Sequence, residues 1–244
     1  NLRRLGTPRT ITIDPRPRPD WAGHASDQWL ADLRSAGIDA DVGPPHITID
    51  DARLHAAGLR LRAECSGGIF QYAGVSGIVR RPRGAGASGA GASGAASLAV
   101  RIAVLHPGSG GRAKCWPLPN WLDLAAHLRA AAWEVLFLIG PVELERFIPG
   151  DLDRLRNAAP LLESPPLREA AALLAAADLF IGNDSGVSHL AAAVGTPTIA
   201  VFGPSNPDLY RPLGEQVTVA RAAARGDWPD VDEVTALVLE REYD

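Results

Sequence analysis

Asp178-Leu-Phe-Ile-Gly-Asn-Asp-Ser-Gly-Val-Ser-His-Leu-Ala-Ala-Ala-Val-Gly-Thr-Pro-Thr-Ile-Ala-Val-Phe-Gly-Pro-Ser205 is the segment on which the reading of this chain turns. Leu179 to Ile181 is a short apolar run, and Gly182 to Gly186 supplies turn residues. Val187, Leu190, Ala191 and Val194 then recur at helical spacing. Gly195 stops that helix, and Thr198 to Phe202 is a second apolar strand. The unit is strand, loop, helix, strand, with Asp184 and Ser185 at the junction of loop and helix. A helix start carries unpaired backbone N–H groups and the positive end of the dipole, which suits a diphosphate.

Working outward, the next informative stretch is Leu105-His-Pro-Gly-Ser-Gly-Gly-Arg-Ala-Lys-Cys-Trp-Pro117. Of the 24 basic residues only Lys114 is lysine. A compact ammonium on a flexible stem can follow a phosphate, whereas arginine prefers a fixed fork. The glycines around it allow close backbone approach, and Ser109 adds a hydroxyl. The loop lacks the Gly-Lys-Ser/Thr of a Walker A motif and the glycine spacing of a dinucleotide fold. Gly140-Pro-Val-Glu143 follows another strand. Glu143 either accepts hydrogen bonds from ribose hydroxyls or sits at a helix start where the dipole favours it, and Glu145 competes for the ribose role. His189, one turn after Ser185, is either a phosphate donor or a satisfied half-buried histidine. No partner stands at ligand spacing to make it a metal site. For His24 and Asp27, helix capping or a core role is favoured over catalysis.

At 244 residues, 46% hydrophobic and 21% charged, the chain has the composition of a soluble globular protein with one large core or two small ones. A net charge of −4 gives no reason to expect nucleic acid as the main partner. Cys65 and Cys115 stand in no metal-binding spacing and are too few for a disulfide scaffold, so a reducing, cytoplasmic compartment is expected. No apolar run reaches membrane-span length. Arg3, Arg4, Arg9, Arg16 and Arg18 crowd the start. They read first as a solvated terminus and second as a peripheral membrane contact. The chain begins at Asn1 and has no methionine, which reads as a processed chain or a fragment.

The expected elements are a strand at Thr10 to Ile13, a helix from His24 to Ala36, a short strand at Ile47 to Ile49, and a helix from Asp50 or Asp51 through Leu59. Residues 84–97 are low-complexity Gly, Ala and Ser and read as a linker between residues 1–83 and 98–244. Beyond it, strands are expected at Val100–Leu105, Val135–Ile139, Leu161–Glu163, Leu179–Ile181, Thr198–Phe202 and Val217–Ala220. Helices are expected at Pro119–Ala132, Val142–Phe147, Leu167–Ala177, after Ser185, and at Val231–Glu240. Such alternation specifies an α/β fold, a Rossmann-like parallel sheet with helices on both faces, with ligands beyond the carboxyl ends of its strands.

These motifs together resemble the sugar-nucleotide-binding half of glycosyltransferase family 9, the lipopolysaccharide heptosyltransferases. The resemblance runs over His106-Pro-Gly-Ser-Gly, Lys114-Cys-Trp-Pro117, Gly140-Pro-x-Glu143, Asp184-Ser-Gly-x-Ser-His189, Ala191-Ala-Ala-Val-Gly-Thr-Pro197 and Phe202-Gly-Pro204. His24-x-x-Asp-Gln-Trp-Leu30 with Leu33 and Gly37-Ile38 is similar to the late part of that family's first domain. The resemblance implies a GT-B-like architecture whose first domain is truncated here. It also implies that Ser109, Gly110 and Lys114 hold a diphosphate from one side, that Asp184, Ser185, Gly186 and His189 flank it from the other, and that Glu143 holds the ribose. The implied donor is an ADP-activated heptose or related sugar, with no cofactor and no metal. The implied acceptor is a lipopolysaccharide-type or other lipid-linked glycan, reached from the cytoplasmic face of the inner membrane. The family's general base lies on an acidic glycine-containing loop with no counterpart here, and Asp14 is not given that role. A non-catalytic sugar-nucleotide-binding protein is the alternative from another class, and a GT-B-like epimerase is less favoured.

Overall fold

Strands buried on both faces need near-continuous apolar runs, and residues 100–221 contain several of them separated by helical patterns. In the computed structural model, which describes residues 18–35, 37–38, 43–65, 100–224 and 226–241, these runs form six strands. They are β1 (Arg101–His106), β2 (Trp133–Ile139), β3 (Leu161–Glu163), β4 (Leu179–Asn183), β5 (Thr198–Phe202) and β6 (Val217–Arg221). All five pairings are parallel and the order is β3-β2-β1-β4-β5-β6. The chain therefore starts mid-sheet at β1, builds outward to β3, then returns to β1's other side as β4. That reversal opens a crevice at the carboxyl ends of β1 and β4, where ligands of open α/β sheets bind.

The helices are α1 (Ala25–Ser35), α2 (Asp51–Cys65), α3 (Leu118–Ala130), α4 (Pro141–Arg146), α5 (Pro149–Ala158), α6 (Leu167–Ala176), α7 (Gly186–Ala193), α8 (Pro207–Tyr210) and α9 (Val231–Leu239). Proline opens the first turn of α3, α4, α5 and α8, where its missing N–H costs nothing and its φ is already helical. Alternate strand residues feed two cores. On one face Ala103, Leu105, Val135, Phe137 and Ile181 meet Trp121, Leu124 and Leu128 of α3, Leu155 of α5, and Val234 and Val238 of α9. Trp116 stands edge-on to Trp121 within that layer, ring centroids 5.2 Å apart. On the other face Ile102, Val104, Leu136, Leu138 and Phe180 meet Ala172, Leu173 and Leu174 of α6, and Ala191 of α7. Ala57 and Leu61 of α2 join this second core, so residues on the N-terminal side of the 84–97 segment pack against the sheet. Gly195, at φ +80°, ends α7 in the left-handed conformation that glycine adopts without strain.

Three local expectations differ from the structure. Residues 47–49 join no ladder; the Ile47 N–H instead donates to the Ala193 carbonyl at 2.8 Å. Helix α2 runs through Gly58 to Cys65, because Ala57 and Leu61 on one stripe are buried and one glycine costs less than that burial returns. Helices α5 and α8 had no counterpart in the sequence reading, although Pro149 and Pro207 mark their starts. The strand expected at Thr10–Ile13, most of the ambiguous 64–83 stretch, the 84–97 linker and Asp14 lie outside the described residues.

Candidate functional site

Strand β1 delivers His106 and the loop that follows it to one side of the crevice; β4 delivers Asn183, Asp184 and Ser185 to the other. The His106 ring is fully buried, with Nδ1 2.8 Å from the Leu138 carbonyl. Burial drives its pKa down, against the pull of that carbonyl and of Glu143, so the ring is neutral and ties the end of β1 to β2. Asn183 has no exposed surface and uses both ends of its amide: Oδ1 accepts from the Trp116 N–H at 2.9 Å, and Nδ2 donates to the Gly108 carbonyl at 3.2 Å. The Ser109 hydroxyl donates to the Asp184 carbonyl at 2.7 Å. These bonds join the two loops across about 75 residues of sequence, with no spacing in the primary structure to announce them.

Lys114 ends a single 3-10 turn, Arg112–Lys114, and its Nζ lies 2.7 Å from Asp184 Oδ2. The pair is asymmetric: the Lys114 side chain is 40% exposed and that of Asp184 is 7% exposed. The ammonium thus reaches the crevice mouth while its counter-charge stays inside. The Tyr210 ring lies beneath the same ammonium, its centroid 5.2 Å from Nζ. Helix α7 begins beside this pair at Gly186, with Ser185 extended at its N-cap and its hydroxyl not capping the helix. Ser188 and His189 turn their N–H groups to the Ser185 carbonyl. Among the described residues the Gly186 and Val187 amides have no backbone acceptor, as is usual for the first donors of a helix. The Ser188 hydroxyl donates to the Asn183 carbonyl at 2.5 Å and holds this first turn against β4.

Glu143 lies in the first turn of α4, 5% exposed, and its Oε2 accepts the Gly140 N–H at 2.8 Å. Its other carboxylate oxygen presses on Gly108, where a Cβ would fall 2.0 Å from Oε1. Of the two readings of Glu143, the helix-start bond is the one seen in the structure. Three residues on, Arg146 Nη1 donates to the carbonyls of Gly110 at 2.7 Å and Ser109 at 3.3 Å, clamping the loop after β1 to α4. Glu143, Arg146, Gly108, Ser109, Arg112 and Cys115 line a cavity of about 190 Å³. Burial, then Glu143, pushes the Cys115 thiol pKa up, so it sits there as a neutral group.

His189 faces this cluster from α7. Burial lowers its pKa first, and His24 and Lys114 lower it further, against Asp184 and a hydrogen bond to the Tyr210 carbonyl. His24 Nδ1 accepts the Ser26 N–H at 3.2 Å, which is a capping contact, and Nε2 lies 3.0 Å from the Arg211 carbonyl. The structure thus brings Ser109, Gly110, Lys114, Glu143, Asp184, Ser185, Gly186 and His189 to one edge of the sheet. Asn183, Arg146 and Tyr210 were not anticipated. Asn183 carried a readable signal, a polar residue closing an apolar strand; Tyr210 carried none, since 95 residues separate it from Lys114.

Among the described residues there is no group of three or more His, Cys, Asp and Glu side chains placed to hold a metal ion, and no helix is long and apolar enough to cross a membrane. The profile of "Glycosyltransferase family 9 (heptosyltransferase)" matches residues 85–238. Lipopolysaccharide heptosyltransferase 2 of Salmonella typhimurium is 34% identical over 116 residues, 46% of this chain and 33% of that protein. Lipopolysaccharide heptosyltransferase 1 of Pseudomonas aeruginosa is 37% identical over 107 residues, 43% of this chain and 29% of that protein. The matched region is therefore about a third of the length of these relatives. Two solved structures share the fold at 20% identity, each over 84% of this chain. They are Escherichia coli ADP-heptose lipopolysaccharide heptosyltransferase II (TM-score 0.54, 57% of that chain) and a family 9 glycosyl transferase from Veillonella parvula (TM-score 0.56, 50% of that chain). With a profile match over more than half its length, the chain belongs to glycosyltransferase family 9.

Proposed function

We propose that residues 98–244 form the donor-binding part of a glycosyltransferase. It moves a heptose-like sugar from an ADP-sugar to a lipopolysaccharide-type or other lipid-linked glycan, at the cytoplasmic face of the inner membrane. The observation that carries this reading is the Lys114–Asp184 pair at the crevice between β1 and β4, beside the open start of α7. The diphosphate lies between Lys114, with the Gly110 backbone, and the amides of Gly186 and Val187. Ser109 acts by holding the Asp184 backbone in place, since its hydroxyl proton is already committed there. Glu143 Oε1 faces the ribose. A cavity of about 190 Å³ is smaller than the roughly 300–1,000 Å³ of a whole ligand pocket, so it accepts one part of a nucleotide while the rest follows the crevice.

In the reaction the acceptor hydroxyl attacks the anomeric carbon as the bond from that carbon to the diphosphate oxygen breaks, inverting the centre. The electron pair stays on the leaving ADP, whose growing charge Lys114 and the helix start stabilise without a metal ion. The hydroxyl proton passes to a base on the acceptor side, a role given to none of the described residues. Calorimetric titration of the chain with ADP, UDP and GDP tests the donor site. Selective ADP binding is expected, weakened in Lys114→Ala by about 1.5–3 kcal/mol, the range for a hydrogen bond to a charged group. Equal binding of all three nucleotides, or none, refutes the reading.

A further inference from the structure

The Lys114 ammonium has two neighbours of opposite character. Asp184 Oδ2, at 2.7 Å, carries a full negative charge that opposes an incoming phosphate. The Tyr210 ring, centroid 5.2 Å from Nζ, attracts the cation through its π face without neutralising it, and leaves the ammonium N–H groups free to turn toward an anion. A lysine on a long flexible stem loses much rotamer freedom when a ligand fixes it, so a neutral surface that holds it in place beforehand removes part of that cost.

The element bearing Tyr210 is itself held firmly. Helix α8 starts at a buried Pro207, and the Asn206 side chain caps it by accepting the Asp208 N–H at 3.1 Å. At its far end the Arg211 carbonyl lies 3.0 Å from His24 Nε2, and the Tyr210 carbonyl accepts from the His189 ring. Tyr210 thus touches two groups assigned to the diphosphate, Lys114 through its ring and His189 through its backbone.

From this geometry we infer that Tyr210 is a positioning residue of the donor site, holding the Lys114 ammonium ready for the diphosphate through its aromatic face. The inference rests on the donor-site reading above and adds to it a residue outside every motif in the sequence. Two measurements test it, one of them independent of nucleotide. Lys114 is the single lysine of the chain, so labelling with 13C-lysine gives one assignable set of side-chain resonances. The ring current of Tyr210 shifts its Hε signals upfield; Tyr210→Phe keeps that shift and Tyr210→Leu abolishes it. In calorimetric titration with ADP, Tyr210→Leu weakens binding by about two- to fivefold, the exposed cation–π range, and Tyr210→Phe restores it. In a Lys114→Ala background Tyr210→Leu has no further effect, because the partner is gone.

A Lys114 signal identical in the native and Tyr210→Leu chains overturns the inference. So does a Phe variant as weak as Leu, or a Leu effect that persists without Lys114. Each of these leaves the donor site standing if the native chain binds ADP, whereas a native chain that does not bind ADP overturns both readings.

Discussion

Replacing Gly108 with alanine puts the packing of the candidate site to a direct test. An added Cβ would lie 2.0 Å from Oε1, 2.1 Å from Cδ and 2.3 Å from Cγ of Glu143, far inside contact distance. Either the loop after β1 moves away from α4, or Glu143 leaves its place and gives up the bond from the Gly140 N–H at 2.8 Å. Overpacking of this kind costs about 1–3 kcal/mol. Loss of the helix-capping bond adds about 0.5–2 kcal/mol. We expect Gly108→Ala to destabilise the chain by about 2–4 kcal/mol, read as a lower urea midpoint at unchanged m value. Gly110, two residues away in the same loop, has nothing within 4 Å of its Cβ position and no positive φ, so Gly110→Ala should be within about 0.5 kcal/mol of the native chain. Glu143→Ala creates the missing space, so the cost of Gly108→Ala should shrink in that background, a coupling of about 1 kcal/mol or more. Equal stability of the two alanine variants, or strict additivity with Glu143→Ala, refutes the reasoning.

Asn183→Ala removes the partners of the Trp116 N–H and the Gly108 carbonyl, both buried, and should cost about 2–4 kcal/mol in urea unfolding at one to two for each orphaned group. Stability should also fall on mild acidification. Burial lowers the pKa of His106 and His189 below 6.5, so beneath pH 6.5 the unfolded chain takes up protons that the native chain refuses. The expected slope approaches about 1.4 kcal/mol per pH unit from His106, with a smaller share from the more solvated His189. Stability is flat above pH 6.5 and declines toward pH 5.5 in a thermal or urea series. Burial and the nearby Glu134 and Glu64 push the Cys65 thiol up to about 12, so it should resist iodoacetamide in the native chain at pH 8 and react once unfolded, as mass spectrometry would show.

The strands and the longer helices were legible because their signals are local. Leu179–Asn183 and Thr198–Phe202 are apolar runs bounded by turn residues, and Gly195 and Pro141 mark where a helix stops and starts. The short strand at residues 47–49 was misread because three apolar-rich residues carry no information about whether a neighbouring edge exists for them. Helix α2 outran its expected end because burial of Leu61 against the sheet outweighs the propensity cost of Gly58, a tertiary effect. Helices α5 and α8 had no counterpart among the expected elements, because they are short and a proline at the first helical position, Pro149 or Pro207, marks a start only once a helix is there to follow it.

The candidate site divides along the same line. From sequence alone came the α/β class and the eight candidate residues, which stand on the loops after β1 and β4 and in the first turns of α4 and α7, through local spacing and residue type; the family came from the resemblance of those motifs. Strand order was not among these, since nothing in the β4 segment says that it returns to the far side of β1. That placement makes the crevice, and with it the pairings no spacing encodes. Lys114 with Asp184 and Tyr210, Asn183 with Trp116 and Gly108, and Arg146 with the loop after β1 are contacts between distant segments. Hydrogen-bond and charge partners are selected by distances in space, and those distances exist only once the sheet has assembled.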